Sequence, residues 1–280
     1  MAKRVPVSLG LTMCALVFSQ QILVGEDPVA ASNAEPRTTA WNALIKGLHA
    51  NDPVHRTHAV AALGTIGATP EAVKLIEGVL KDDKATVVRQ AAAVTLGDIK
   101  AVAAIPALEA ALDDNAEVSF AAATALENMG NASGRWVLEE VLEDERSNRP
   151  GAAQGALRKA KQKLHNPSQL ALMGVKEATG QFLGPASMGI GIGQMAMKDG
   201  GAAGRTAAVA AIAKDPDPEV VSLLEWALGD KSWAVRAAAV RALGERGNRS
   251  TILKLLPLLT DDRDIVRSLT AASIVRLSSK

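Results

Sequence analysis

Histidine is the residue type in this chain that most readily suggests chemistry. His55 and His58 stand three residues apart in one predicted helix, and His49 lies just upstream. Two imidazoles at this spacing share a helix face and can bind a divalent metal ion. No aspartate or glutamate completes the ligand set at the spacing that metalloenzymes use. We therefore predict no metal site and no cofactor.

Nucleophiles for covalent catalysis are also scarce. Cys14 is the single cysteine and lies in an apolar N-terminal segment, so the rest of the chain is expected to contain no disulfide or thiolate site. No Gly-x-Ser-x-Gly elbow is present to expose a serine nucleophile. The glycines Gly189, Gly191 and Gly193 alternate with other residues and lack the spacing of a phosphate loop. The sequence therefore predicts no catalytic residues and a protein that is not an enzyme.

Charge and composition narrow the class of protein further. The chain has 31 basic and 30 acidic residues, a net charge of +1, which lacks the basic excess typical of nucleic-acid binding. Aromatic residues make up only 2%, and most apolar residues are Ala, Leu and Val, which suits closely packed helices. We expect an all-α protein with no nucleic-acid partner.

The first 34 residues resemble an export signal. Lys3 and Arg4 precede an apolar run from Leu9 to Phe18, and small residues follow. That run is shorter than the roughly 20 residues that a membrane-spanning helix needs. Residues 1–34 are therefore interpreted as a signal peptide and linker, which predicts a periplasmic or extracellular protein. An uncleaved signal anchor, a disordered tail and lipidation at Cys14 are the alternatives, and the cleavage site stays open.

An internal repeat dominates the remaining chain. The segment HRTHAVAALG at 55–64 has counterparts at 88–97, 118–127, 204–213, 235–244 and 266–275. The arginine in this segment recurs after 31 residues from Arg205 to Arg236, and again after 31 to Arg267. A repeat of this period indicates a stack of similar structural units.

A second repeated element lies between these copies and ends in Leu-x-Asp. Its leucines or isoleucines stand four residues apart, which gives one apolar stripe on a helix. Each unit is therefore predicted to be two short antiparallel helices. Asp52-Pro53 and Thr69-Pro70 are expected to begin helices. The glycines expected to end the first helices of their units are Gly64, Gly97 and Gly244.

Units reading "D…VR…AA..LG" and then "…L…L.D" resemble HEAT-like repeats of the phycobilisome-lyase type, over roughly residues 40–164 and 200–280. The resemblance implies an α-solenoid of stacked antiparallel helix pairs, with the second helix of each pair on the concave side. No histidine is followed by glutamate, as it is in the di-iron hydroxylases built from similar repeats. The resemblance implies a fold far more specifically than a function.

Two rows of polar residues recur in register with the repeat. In similar repeats an arginine at this position bonds the aspartate that caps the same or the adjoining helix, so we predict a structural ladder between units. Its members are Arg56, Arg89, Arg205, Arg236, Arg267, Asp82, Asp114, Asp230 and Asp261. The second row, on the second helices, consists of Glu77, Glu109, Glu139 and Glu225. These glutamates are candidates for binding a basic partner segment, or they are simply good helix formers on a solvated face.

Trp226 stands beside this glutamate row, where the other units have Gly78, Ala110 and Glu140. Tryptophan is favoured at binding hot spots, so Trp226 is a candidate partner anchor. The alternative is a tryptophan wedged between adjacent repeats. Trp136 is interpreted as a packing or helix-start residue.

One segment departs from the repeat. About 24 residues are surplus between the fourth and fifth units, which places a Gly/Met-rich insertion at 179–201 between repeat blocks 35–178 and 202–280. Glycine gives this insertion backbone freedom and methionine gives it adaptable side chains. It is interpreted as a cover or spacer at the junction, with contact to a partner, or to a membrane through residues 183–199, as the alternatives.

Two functions follow from these observations. The first is a non-enzymatic scaffold or adaptor that binds a protein partner on its concave face in the bacterial cell envelope. The second, implied only by the resemblance, is a bilin-attachment lyase or a lyase-like regulatory subunit. Because each unit depends on its neighbours, stability is expected to fall gradually as units are removed.

Overall fold

The computed structural model describes residues 28–147 and 202–279, and all regular structure in those two ranges is helical. The segment predicted as a signal peptide, apart from residues 28–34, and the Gly/Met-rich insertion lie outside the described residues. In the first range the helices are α1 (Pro28–Leu48), α2 (Pro53–Ile66), α3 (Pro70–Asp82), α4 (Thr86–Asp98), α5 (Ile105–Ala110), α6 (Ala116–Asn128) and α7 (Arg135–Ser147). In the second range they are α8 (Ala202–Ile212), α9 (Glu219–Ala227), α10 (Trp233–Arg246), α11 (Ile252–Leu255) and α12 (Asp264–Ser278). Short 3-10 turns cover Val102–Ala104, Ala111–Asp113, Ala132–Gly134, Arg249–Thr251 and Leu256–Thr260.

The helices begin where the capping residues predict. Asp52 accepts a hydrogen bond from the Val54 N–H, and the Thr69 hydroxyl accepts one from the Ala72 N–H. Each capping residue is followed by proline, whose missing N–H costs nothing in the first turn of a helix.

The ends of the first helices differ from the prediction. Gly64, Gly97 and Gly244 lie inside α2, α4 and α10 rather than after them. A Cβ added at Gly97 would lie 2.6 Å from the Ala125 Cβ on α6, and one added at Gly244 would lie 2.5 Å from the Ser273 hydroxyl on α12. These glycines let adjacent first helices approach closely. The C-caps of α2 and α10 are instead Gly67, with φ 97°, and Gly247, with φ 80° in the left-handed region, and the C-cap of α4 is Ile99.

The stack is made of first helices α2, α4, α6, α8, α10 and α12, each paired with a second helix. Five of the six second helices bring a large, fully buried aliphatic side chain to the core, the residues being Leu44, Ile76, Leu108, Leu224 and Leu255 on α1, α3, α5, α9 and α11. Helix α7 contributes the buried Val137. Burying such a side chain contributes about 1.5–3 kcal/mol. The core is therefore a repeated aliphatic layer.

The order of the units in space differs from their order in the sequence. Contacts between first helices run α8 to α10, α10 to α12, α12 to α2, α2 to α4 and α4 to α6. The C-terminal block therefore precedes the N-terminal block. Helix α1 packs against both α12 and α2, in the place of a second helix for α12. One unit is thus composite, because its two helices come from opposite ends of the described chain.

Candidate interaction surface

Four arginines on first helices each bind an aspartate with two side-chain hydrogen bonds. The pairs are Arg56 with Asp83, Arg89 with Asp114, Arg205 with Asp230 and Arg236 with Asp261, at N–O distances from 2.6 to 3.0 Å. Each aspartate also accepts a backbone N–H one or two residues further on. A paired, planar contact of this kind fixes orientation as well as charge.

The sequence prediction misplaced one member of this ladder. Asp83, and not Asp82, binds Arg56, because α3 extends to Asp82 and the next residue is its C-cap. Asp82 is exposed. The Arg56–Asp83 pair is the most buried of the four, with side chains 6% and 9% exposed.

These contacts change the acidity of the aspartates. The hydrogen bond from Arg89 is the main cause that lowers the pKa of Asp114 below its ordinary value. The hydrogen bond from Arg205 does the same to the pKa of Asp230. Both carboxylates therefore stay charged at mildly acidic pH.

Arg267 has a different environment from the other four arginines. Its Nη1 donates to the backbone carbonyls of Asp261 and Asp262, as the ladder arginines do to the loops before their helices. The carboxylate that it would bind belongs in the loop between α1 and α2. Arg56 donates to the carbonyl of Ala50, six residues earlier, just as Arg89 donates to the carbonyl of Asp83, six residues earlier. Ala50 is therefore at the position that is equivalent to Asp83. Among the described residues, no carboxylate pairs with Arg267.

The histidines that raised the metal hypothesis lie at this same junction. The Nδ1 of His58 on α2 is 2.5 Å from an Asp264 carboxylate oxygen on α12, and the Nε2 of His55 is 3.7 Å from the other oxygen. Within ranges 28–147 and 202–279, no three His, Cys, Asp or Glu side chains are arranged to hold a metal ion. The arrangement joins two helices.

The glutamate row is divided in space. Glu77, Glu109 and Glu139 lie on α3, α5 and α7, which are consecutive second helices. Glu225 lies on α9, and α11 and α1 separate it from the others. Glu109 accepts hydrogen bonds from the Ser133 hydroxyl at 2.7 Å and the Asn131 amide at 3.3 Å, and so also braces the next unit.

Trp226 is exposed rather than wedged between repeats. Its exposed fraction is 76%, and Leu223, one helical turn earlier on α9, is 55% exposed. Leu253 on α11, the next second helix, is 74% exposed. We call Leu223, Trp226 and Leu253 the apolar patch. Trp136, interpreted as a packing or helix-start residue, is the second residue of α7 and is half exposed.

Sequence reasoning found Trp226 but missed both leucines of the apolar patch. Leu223 and Leu253 stand next to or near the buried Leu224 and Leu255, so a leucine-rich helix conceals which leucines face solvent. The spacing of Leu223 and Trp226 was the available signal, because residues three apart share a helix face.

A family model described as HEAT repeats matches residues 41–127 and 191–274. The chain belongs to the HEAT-repeat family. This HEAT-repeat chain is also similar to solved structures of low sequence identity. Human deoxyhypusine hydroxylase in complex with glycerol is 18% identical, over 90% of this chain and 99% of that one, with a TM-score of 0.32.

Two further structures are similar at the same level. The complex of CpcE and CpcF of phycocyanin lyase from Nostoc is 19% identical, over 83% of this HEAT-repeat chain and 93% of that chain, with a TM-score of 0.31. An engineered protein is 19% identical, over 88% and 97% of the two chains, with a TM-score of 0.26. No curated protein matches the sequence. None of the helices in the described ranges is long and apolar enough to cross a membrane.

Proposed function

We propose that this HEAT-repeat protein is a non-enzymatic scaffold that binds a protein partner on the face of its second helices. The observation that carries the proposal is the apolar patch. Large apolar side chains exposed together on neighbouring elements are typical of interaction sites, since burying them on a partner removes apolar area from water. Tryptophan in particular dominates the energetics of many interfaces.

Charged residues suggest the chemistry of the partner segment. Glu219 and Glu225 are on the same helix as Trp226, while Lys254 follows Leu253. A segment that presents apolar side chains to the patch, with basic residues near the carboxylates, would complement this surface. The exposed Glu139 and the partly exposed Glu77 are on other second helices and form a separate group of negative charges.

The proposed partner contact is tested by pull-down and by quantitative binding of the captured protein. Trp226→Ala is expected to weaken that binding by about 30-fold or more, because this is the typical effect of truncating a hot-spot tryptophan. Val102→Ala is the matched control, because Val102 is 66% exposed but lies on another unit. Equal binding by wild type and Trp226→Ala, in two stable proteins, would rule out this surface as the anchor.

The location proposed for the scaffold is the cell envelope, and the support for it is the order of basic, apolar and small residues in 1–34. Fractionation of cells that express the full chain tests the location separately from the binding surface. An uncleaved protein in the cytosol would overturn the location and would favour the lyase alternative instead.

A further inference from the structure

The contact between α12 and α2 joins the two described blocks of the chain. At one end of these helices, His58 contacts Asp264. At the other end, the Nη1 of Arg276 donates to the Thr65 carbonyl at 3.0 Å. Helix α1 closes the side of the contact, where Gly47 approaches Ala59 on α2 and Ser268 on α12. We call this contact the closing joint.

The closing joint differs from the other joints in the chemistry of its ion pair. Four joints use arginine and aspartate, and arginine stays charged at any physiological pH. At the closing joint Ala50 replaces the aspartate, and the side-chain pair is His58 with Asp264. Histidine is the side chain whose charge ordinarily changes between about pH 5 and 8.

We propose that the closing joint is a pH-sensitive contact, which tightens when His58 is protonated and loosens when His58 is neutral. The inference concerns how the two blocks are held together and is independent of the proposed partner site.

The geometry explains the direction of the effect. Asp264 accepts from His58 Nδ1, so this nitrogen carries the hydrogen in both protonation states. Protonation at Nε2 adds a positive charge beside the Asp264 carboxylate, so the attraction between opposite charges is added to a hydrogen bond whose acceptor is already charged. The two side chains are 24% and 21% exposed, so water screens the pair only partly.

The weakening of the closing joint at low pH comes from protonation of Asp264. Burial alone raises the pKa of this carboxyl, but the hydrogen bond from His58 and the charges of His58, His55 and Arg267 lower it overall. A lowered pKa means that Asp264 contributes stability above its ordinary titration range and loses it as the pH falls below that range. The joint is therefore expected to be strongest above the titration range of Asp264 and below the range in which a histidine ordinarily loses its charge.

Few other charges act on this pair. Asp52 lies 3.9 Å from the Nε2 of His55, and this imidazole is itself 3.7 Å from Asp264, so His55 faces the same carboxylate as His58. On the other packed elements, Arg236 binds Asp261 and Asp262, Arg56 binds Asp83, Arg89 binds Asp114, and Lys46, Lys81 and Lys254 are exposed. Arg37 on α1 is partly buried, and its Nε has no hydrogen-bond partner among the described residues.

A double-mutant cycle on the full chain tests the proposal. His58→Asn retains a donor near the Nδ1 position but does not titrate, and Asp264→Asn removes the charge. The unfolding equilibrium of wild type, both single variants and the double variant is measured in urea at pH 5.5 and pH 8.5. The coupling free energy between His58 and Asp264 that this cycle yields is expected to be about threefold to fivefold larger at pH 5.5 than at pH 8.5. Equal coupling at the two pH values, or larger coupling at pH 8.5, would overturn the proposal.

The matched control is the same cycle on the Arg89–Asp114 joint with Arg89→Gln and Asp114→Asn. Both residues are charged at pH 5.5 and 8.5, so the coupling should be the same at both. A pH-dependent coupling here equal to that of the closing joint would also overturn the proposal, since the response would not be specific to histidine.

A second measurement does not depend on the stability of the variants. Spin labels at Lys74→Cys and Lys254→Cys, with Cys14→Ser, lie on exposed sites on either side of the closing joint. The distance distribution between them is expected to broaden from pH 5.5 to pH 8.5. An unchanged distribution would show that the joint does not loosen.

Discussion

Replacing Asp83, in the loop between α3 and α4, by alanine removes the carboxylate that binds the guanidinium of Arg56 at the joint between α2 and α4. The two side-chain hydrogen bonds at 2.6 and 2.8 Å would be lost, together with the bond that Asp83 accepts from the Ala85 N–H. Arg56 is nearly buried, with its side chain 6% exposed, and would keep its charge without a counterion. Breaking a buried pair in this way costs about 3–5 kcal/mol.

The neighbouring Asp82 provides a matched control. It has the same side chain one position earlier, but it is exposed at the end of α3. Asp82→Ala is therefore expected to change the free energy of unfolding by less than about 0.5 kcal/mol. Urea unfolding followed by circular dichroism measures both variants. For a domain of about 200 residues, 3 kcal/mol also corresponds to a decrease of about 6–12 °C in melting temperature.

Two results would refute this reasoning. If Asp82→Ala destabilised the protein as much as Asp83→Ala, the ladder would have the register expected from the sequence. If Asp83→Ala cost less than about 1 kcal/mol, the pair would behave as an exposed salt bridge. The double replacement Arg56→Met and Asp83→Leu separates the loss of the ion pair from the burial of an unpaired charge. Because it removes both charges, it should recover much of the stability that Asp83→Ala loses.

Three further predictions rest on other parts of the structure. Gly97→Ala should lower the free energy of unfolding by about 1–3 kcal/mol, because the added Cβ would overpack against α6. Gly78→Ala should raise it by up to about 1 kcal/mol in the same urea assay, because a Cβ at this position of α3 would have no neighbour within 4 Å. Acid titration should leave the Asp114 and Asp230 pairs intact through the ordinary aspartate range and weaken the fold below it, because both pKa values are lowered; unfolding already above that range would contradict this. Trp226→Ala should leave the melting temperature within about 2 °C of wild type, because the side chain is exposed.

The sequence predicted the helical pairs well because their signals are local. Apolar stripes, capping residues such as Asp52 and Thr69, and a regular period each depend on a few neighbouring residues. The glycine prediction was wrong because Gly97 and Gly244 are required by the close approach of the next first helix in the stack. No local sequence pattern reveals that contact. The ladder was misplaced at Asp82 because the end of α3 is one residue later than the Leu-x-Asp pattern indicates.

The composition of the closing joint could not be predicted from the repeat. Helix α1 shares the buried leucine of a second helix, Leu44, but no first helix precedes it within the described ranges. A sequence period identifies units whose two helices are consecutive in the chain. It does not reveal a unit that is assembled from distant segments. For the same reason the sequence identified His55 and His58 as a pair but not their partner Asp264.

The composite unit places the two sequence extremes of the described fold in the middle of the stack, while Ser147 and Ala202 mark its outer edges. Removing α12 would therefore cut the array into two halves instead of shortening it, and the expected gradual loss would become abrupt. A rearranged polypeptide that starts at α8 and runs from α12 directly into α1 would have the six described units in spatial order. The order of the described units along the chain is thus circularly permuted relative to their order in the stack.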